Sequence, residues 1–134
     1  MTFHVERIDH VVLRVRNLAS MVAFYESALG FKVVRRLDEL KLVQMRAGAS
    51  MLDLIDKERG GPETDKHGNM DHLCFRVEPF DRDAMAKHLS PLGIALGETV
   101  QRFGAEGTGP SVYFDDPEGN QIELKGPATS GMPT

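Results

Sequence analysis

The sequence predicts an α+β fold built from two tandem βαβββ modules. Three observations carry that expectation. Residues 8–15, I-D-H-V-V-L-R-V, return at residues 70–77 as M-D-H-L-C-F-R-V, with Asp, His, Arg and Val in register. A helix-like stretch closed by a glycine follows each copy. The last strand-like run of each half then sets one acid between two aliphatic residues, Asp53 between Leu52 and Leu54 and Glu123 between Ile122 and Leu124. Self-similarity at a fixed spacing marks a repeated supersecondary unit.

Taken in order, the first repeat strand alternates so that Val11, Leu13 and Val15 share one face while His10, Val12 and Arg14 share the other. Asn17 is placed to cap a helix whose apolar residues Leu18, Met21, Val22, Tyr25 and Leu29 follow the helical period, and Gly30 is placed to end it. Strand-like runs follow at Phe31–Leu37, Lys41–Ala47 and Met51–Asp56, and a charged, breaker-rich linker spans residues 57–69. In the second copy Leu73, Phe75 and Val77 form the apolar face and His72, Cys74 and Arg76 the polar one. Asp81 caps the second helix, Met85, Leu89 and Leu92 form its stripe and Gly93 stops it. Strands are expected at Ile94–Gln101, Ser111–Asp115 and Gln121–Lys125, with the turn D-D-P-E-G-N leading into the Glu123 strand. The glycine-rich stretch 104–110 reads as a mobile loop over the site. One domain is expected over residues 1–126, with module one at about 7–56 and module two at about 70–126, and residues 127–134 read as a flexible tail.

Composition narrows the function. The formal charge of −4 argues against a nucleic-acid partner, whose phosphates call for clustered Lys and Arg, and favours a small molecule. No apolar run approaches the roughly 20 residues that cross a bilayer. With no secretory leader pattern and a single cysteine, Cys74, a soluble cytoplasmic protein without an internal disulfide is expected. One cysteine also excludes a cysteine-based zinc knuckle, so a metal must be held by histidine and carboxylate.

Each half supplies a histidine from its first strand and an acid from its last, all on faces turned away from the helices. His10, Asp53, His72 and Glu123 are therefore the candidate ligands. A single strand histidine is more often a hydrogen-bonded structural residue, and a single strand acid a solvated one. Two of each at equivalent positions of a repeat point to one divalent cation such as Zn²⁺, Ni²⁺, Mn²⁺ or Fe²⁺, with positions left open for water or substrate. Asp53 is a methylene shorter than Glu and is expected either to ligate or to act through water. Arg14 and Arg76, on the histidine faces, and Arg102, entering the glycine-rich stretch, are candidates to receive an anionic substrate or to form structural salt bridges.

The strings I-D-H-V-V-L-R-V, N-L-A-S-M-V-A-F-Y-E-S-A-L-G-F, M-D-H-L-C-F and V-Y-F-D-D-P-E-G-N-Q-I-E-L resemble the vicinal oxygen chelate superfamily of glyoxalases, bleomycin resistance proteins and dioxygenases. The resemblance covers nearly the whole chain, and it is specific for fold and weak for reaction. It implies paired modules forming an open eight-stranded cup, a homodimer with shared active sites, and metal ligation by His10, Asp53, His72 and Glu123. Among the family's reactions, a glyoxalase I-like lyase fits best: Arg14 matches an arginine that helps hold a glutathione conjugate, and Glu123 matches the combined ligand and base, with the Asp53 position sharing acid/base work. Departures are Asp53 where glyoxalase I commonly has Glu, and Lys57 where it has Asn. Thiol transferases of this fold place Thr where this chain has Val12, and dioxygenases use a further catalytic histidine that none of the spare histidines here matches. A non-catalytic drug-binding protein is the alternative from another class.

Overall fold

Both helix caps and the first glycine stop act where the sequence places them, whereas the second helix ends at Leu89 and Gly93 closes the 3₁₀ turn that follows it. The computed structural model describes residues 2–60, 68–115, 117 and 119–131. Along it run β1 (His4–Val15), α1 (Leu18–Leu29), β2 (Lys32–Leu37), β3 (Leu42–Ala47), β4 (Ser50–Asp56), β5 (Met70–Glu78), α2 (Arg82–Leu89), β6 (Val100–Gly104), β7 (Gly107–Asp115) and β8 (Gln121–Lys125). Each half is a βαβββ module, as expected. Asn17 Oδ1 accepts the Ser20 N–H at 3.0 Å and Asp81 Oδ1 accepts the Ala84 N–H at 3.1 Å, satisfying one otherwise unpaired helix donor each. Gly30 closes α1 at φ 71°, its N–H bonded to the Glu26 carbonyl at 3.1 Å. No helix of the described residues is long and apolar enough to cross a membrane.

The chain's contacts divide it into two compact units. One is His10–Asp71, and the other joins the first nine residues to everything from His72 onward. In the first unit the strand order is β2-β3-β4-β1, with β1 and β4 parallel and the remaining pairs antiparallel. A parallel pair needs a long crossover, which α1 with β2 and β3 provides. Val15, Val22, Val43, Met45 and Leu54 form its core under α1. The second unit repeats the plan as β5-β8-β7-β6, again with a parallel first pair. Its core is Phe3, Val77, Met85, Val112 and Leu124.

The upstream half of β1 belongs with the second module through specific contacts. Phe3 packs in that core, Asp9 Oδ1 accepts the Ala105 N–H at 2.9 Å, and Arg7 pairs with Glu106 at 3.1 Å. An eight-residue repeat could not reveal this, because residues 3–7 have no counterpart in the second copy.

The structure departs from expectation in the second half. Residues 94–99 are not strand, and β6 begins at Val100. The glycine-rich stretch is not a mobile loop: β6 ends at Gly104, Ala105 and Glu106 turn, and β7 starts at Gly107. Its glycines admit close neighbours. A Cβ on Gly104 would lie 2.4 Å from Asp9 Oδ1 and 2.7 Å from Lys125 Cε, and one on Gly109 would lie 2.6 Å from the Pro127 carbonyl oxygen. Where a frayed run from residue 127 was expected, Ser130 exchanges backbone hydrogen bonds with Thr108 (2.9 and 3.1 Å) and the Thr129 N–H reaches the Thr108 carbonyl at 2.7 Å. Residues 132–134 lie outside the described residues. Leu29 and Leu92 leave the expected apolar stripes, at 61% and 66% exposure. Leu92 is turned outward because Pro91, which has no N–H to donate, tightens the chain into a 3₁₀ turn over Ser90–Leu92.

Candidate metal centre

The pleat of β5 and β8 builds the best-defined part of the site within the second unit. His72, Cys74 and Arg76 alternate onto the face opposite the apolar core, as do Glu123 and Lys125, while Phe75, Val77, Ile122 and Leu124 pack on the helix side. Parallel pairing sets Cys74 opposite Glu123, so the His72 ring reaches the carboxylate from one step upstream. His72 Nε2 stands 3.1 Å from Glu123 Oε1. Ser111, fully buried on β7, donates its hydroxyl to the other oxygen, Oε2, at 2.8 Å. Glu123 itself has no exposed surface. A carboxylate so buried must be held by donors or a cation, since an isolated buried charge is far costlier than an isolated buried dipole.

Tyr113, opposite Glu123 across the β7–β8 ladder, lays its ring edge-on to His72 with centroids 5.8 Å apart. Burial, reinforced by the Glu123 charge, pushes its phenol well above the ordinary tyrosine range, so it stays protonated. Arg102 donates to that phenol oxygen at 3.2 Å, and its guanidinium stands 5.7 Å from the ring centroid.

Beyond Glu123, Lys125 is buried to 1% exposure. Burial pushes its amine below the usual lysine range, and the Asp9 carboxylate, then Cys74 and Glu123, oppose that push. Asp9 and Cys74, both fully buried, carry potential ligand atoms within 4.8 Å of each other.

The two candidate ligands of the other unit are also buried, His10 at 3% and Asp53 at 4% exposure. Register places His10 beside Met51 and Val12 beside Asp53 on β4. Asp53 Oδ2 accepts the Gln44 side-chain amide at 3.0 Å.

The three candidate substrate arginines divide. Arg14 is taken up largely by the fold: its guanidinium bonds the Gly68 and Met70 carbonyls at 3.1 and 3.3 Å and pairs with Asp71 at 3.1 Å. Arg76 is buried and held by Glu106, by Glu78 at 3.3 Å and by the Val77 carbonyl at 2.9 Å. Burial works against its charge, but the Glu106 and Glu78 carboxylates outweigh it and hold the guanidinium protonated. Arg102 alone of the three is exposed.

Ser111, Tyr113 and Gln44 were not singled out from the sequence. The alternation of β7 would have found the first two, since both share the face of the neighbouring Glu123. No local signal marks Gln44.

The donor chemistry of His72 and Glu123 fits a cation. Ligands bonded at about 2.1 Å stand about 3.0 Å apart at the right angle of an octahedral site and about 3.4 Å apart at the tetrahedral angle, and the 3.1 Å between Nε2 and Oε1 lies within that span. Residues 7–124 match the model of the Glyoxalase/Bleomycin resistance protein/Dioxygenase superfamily.

The chain belongs to this superfamily.

Among curated relatives, the virulence protein STM3117 of Salmonella typhimurium is 35% identical over 90% of this chain and 83% of its own length. A metallothiol transferase FosB of Bacillus licheniformis is 24% identical, covering 87% and 73%. The lactoylglutathione lyase of Pseudomonas aeruginosa is 25% identical, covering 87% and 80%. Among solved structures, methylmalonyl-CoA epimerase from Mycobacterium tuberculosis superposes with a TM-score of 0.64 at 25% identity, covering 92% of this chain and 89% of that one. The glyoxalase-like α+β fold expected from the sequence is therefore the fold of this superfamily member, and enzymes are well represented among its relatives.

Proposed function

We propose that this superfamily member is a metal-dependent enzyme of the glyoxalase I-like lyase and isomerase type, acting on a small substrate with oxygens on adjacent carbons. His10, His72 and Glu123 hold one divalent cation, Asp53 acts on it either as a further ligand or through water, and the working form is a cytoplasmic homodimer. The single observation that carries the reading is the buried His72–Glu123 pair, 3.1 Å apart, with Ser111 fixing the second carboxylate oxygen.

When bound, the cation polarises the adjacent substrate oxygens and acidifies the carbon-bound hydrogen between them. Glu123 is the base. Its Oε2 is held by Ser111, which leaves Oε1 as the oxygen directed toward His72. Proton removal leaves an enediolate in the substrate, and return of the proton to the neighbouring carbon completes the isomerisation. Tyr113, kept protonated by burial, closes one wall beside His72, and Arg102 is the accessible cation that receives an anionic substrate group, a thiol conjugate's carboxylate among them. A lactoylglutathione lyase and a methylmalonyl-CoA epimerase stand beside metallothiol transferases among the similar proteins, so proton transfer is one of the reaction classes that they support. Val12, which stands where the transferases carry Thr, supports it too.

Protein purified without chelator is expected to carry about one transition metal per chain by elemental analysis, and His72→Ala is expected to lose most of it. Metal-loaded protein should then turn over the hemithioacetal of methylglyoxal and a small thiol. Wild-type protein that stays metal-free after metal-replete growth would move the reading to a non-catalytic binding protein.

A further inference from the structure

A groove of about 530 Å³ opens where β1 passes into α1. That volume falls inside the span of about 300–1,000 Å³ usual for small-molecule sites. Every residue lining it belongs to the unit His10–Asp71. Its floor is apolar and is made by Leu13, Val15, Met21 and Tyr25. Leu13 and Val15 pack with α1 in the core, and β1 pairs with β4 without a register break from His10 to Val15, so this floor lies on the helix side of the strand, opposite the face of His10.

The floor is firm and still leaves surface for a ligand. Tyr25 stacks on Phe31 with centroids 5.6 Å apart and meets Phe24 edge-on at 5.3 Å, which fixes its ring. Tyr25 and Met21 are only half-buried. An aromatic ring beside an adaptable thioether suits an aryl or short alkyl body.

The polar lining sorts into groups spent on the fold and one that is not. Arg14 is committed to the Gly68 and Met70 carbonyls and to Asp71. Asn17 Oδ1 accepts the Ser20 N–H, and the Ser20 hydroxyl donates to the Asn17 carbonyl at 3.2 Å, so both serve the helix cap. The Asn69 carbonyl accepts the Arg14 N–H at 2.7 Å, which pins the backbone there and leaves the side-chain amide as a donor and acceptor on the rim. Arg16 is different: it is exposed, and among the described residues no carboxylate pairs with it. No acid lines the groove, and the first turn of α1 carries none. The rim is therefore cationic over an apolar floor.

We propose that this groove binds a small amphiphilic carboxylate, its head paired with the Arg16 guanidinium and its aryl or short alkyl body laid on Tyr25, Met21 and Leu13. A planar guanidinium matches a carboxylate with two parallel hydrogen bonds, and the apolar body covers surface that water otherwise wets. The site is separate from the proposed metal centre and does not rest on it.

The test is a ¹H–¹⁵N NMR titration of the full-length protein with phenylacetate, set beside its neutral counterpart phenylacetamide. Phenylacetate should saturate at one per chain with a dissociation constant of about 1 mM or tighter, moving the amide signals of residues 13–25 and 69. Phenylacetamide should bind at least about tenfold more weakly, and Arg16→Gln should weaken phenylacetate by about tenfold, the scale of one charge-assisted hydrogen bond at a partly open site. Arg16→Lys should recover part of that loss. Ser20→Trp, which brings an indole into the groove from an exposed helix position, should abolish binding. Because Arg16 is exposed, its replacement tests the site even where Ser20→Trp folds poorly. His72→Ala should bind phenylacetate as the wild type does, since the groove shares no residue with the metal centre. Shifts confined to the strands of His72 and Glu123, equal affinity for acid and amide, Arg16→Gln with wild-type affinity, loss of binding in His72→Ala, or no saturable binding would each overturn the inference.

Discussion

Ser111→Ala removes one hydroxyl from a fully buried position and leaves the Glu123 Oε2 atom without the donor that holds it at 2.8 Å. Alanine adds no clash, so the consequence is almost purely the lost hydrogen bond to a charged group. Such a bond is worth about 1.5–3 kcal/mol. For a domain of this length each kcal/mol shifts the melting temperature by about 4 °C, so a fall of about 6–12 °C is expected for the metal-free protein in a calorimetric scan. The same change frees the carboxylate to rotate away from His72, and divalent-cation affinity should fall about 10- to 100-fold in a chelator competition. Ser111→Thr, which keeps the hydroxyl, should retain most of the affinity. A Ser111→Ala protein that melts within a degree of wild type and binds metal equally well would refute the idea that Glu123 is held in place by β7.

Two further perturbations address the second unit. Gly104→Ala puts a methyl where Asp9 Oδ1 and Lys125 Cε already stand at 2.4 and 2.7 Å. It should cost about 1–3 kcal/mol by urea unfolding, while an unchanged midpoint would return the glycine-rich stretch to the status of a loop. Phe3→Ala empties a place in the core shared with Val77, Met85 and Val112, and about 3–5 kcal/mol of destabilisation is expected. Full stability after that change would show that the N-terminal residues are not part of the second module's core.

The strands and helices were legible where period and punctuation agree. Asn17 and Asp81 cap because a short side-chain acceptor one residue before a helix can do little else as favourably. The His72–Glu123 pair is legible because strand alternation, together with the repeat, assigns both residues to the face away from the helices. Glycine was the ambiguous letter. In residues 104–110 it permits either a mobile loop or close packing of backbones, and the choice was made by Lys125, Asp9 and residues 127–130 arriving from elsewhere in the chain. Arginine was ambiguous in the same way. Arg76 was read from its face as a possible substrate contact, but Glu106, which is 30 residues away, takes up its guanidinium. The bulge at Val34 had no signature at all, since Val33 and Val34 are equally suited to a regular strand.

By itself, then, the chain determined the repeated unit, the family and the residue types of the candidate metal site, because periodicity and local caps act over a few residues and are written in adjacent letters. Tertiary structure decided which polar groups remain for chemistry and which are spent on the fold. That division depends on neighbours brought together by strand register, and a one-residue shift such as the one in β2 reverses the face a side chain occupies.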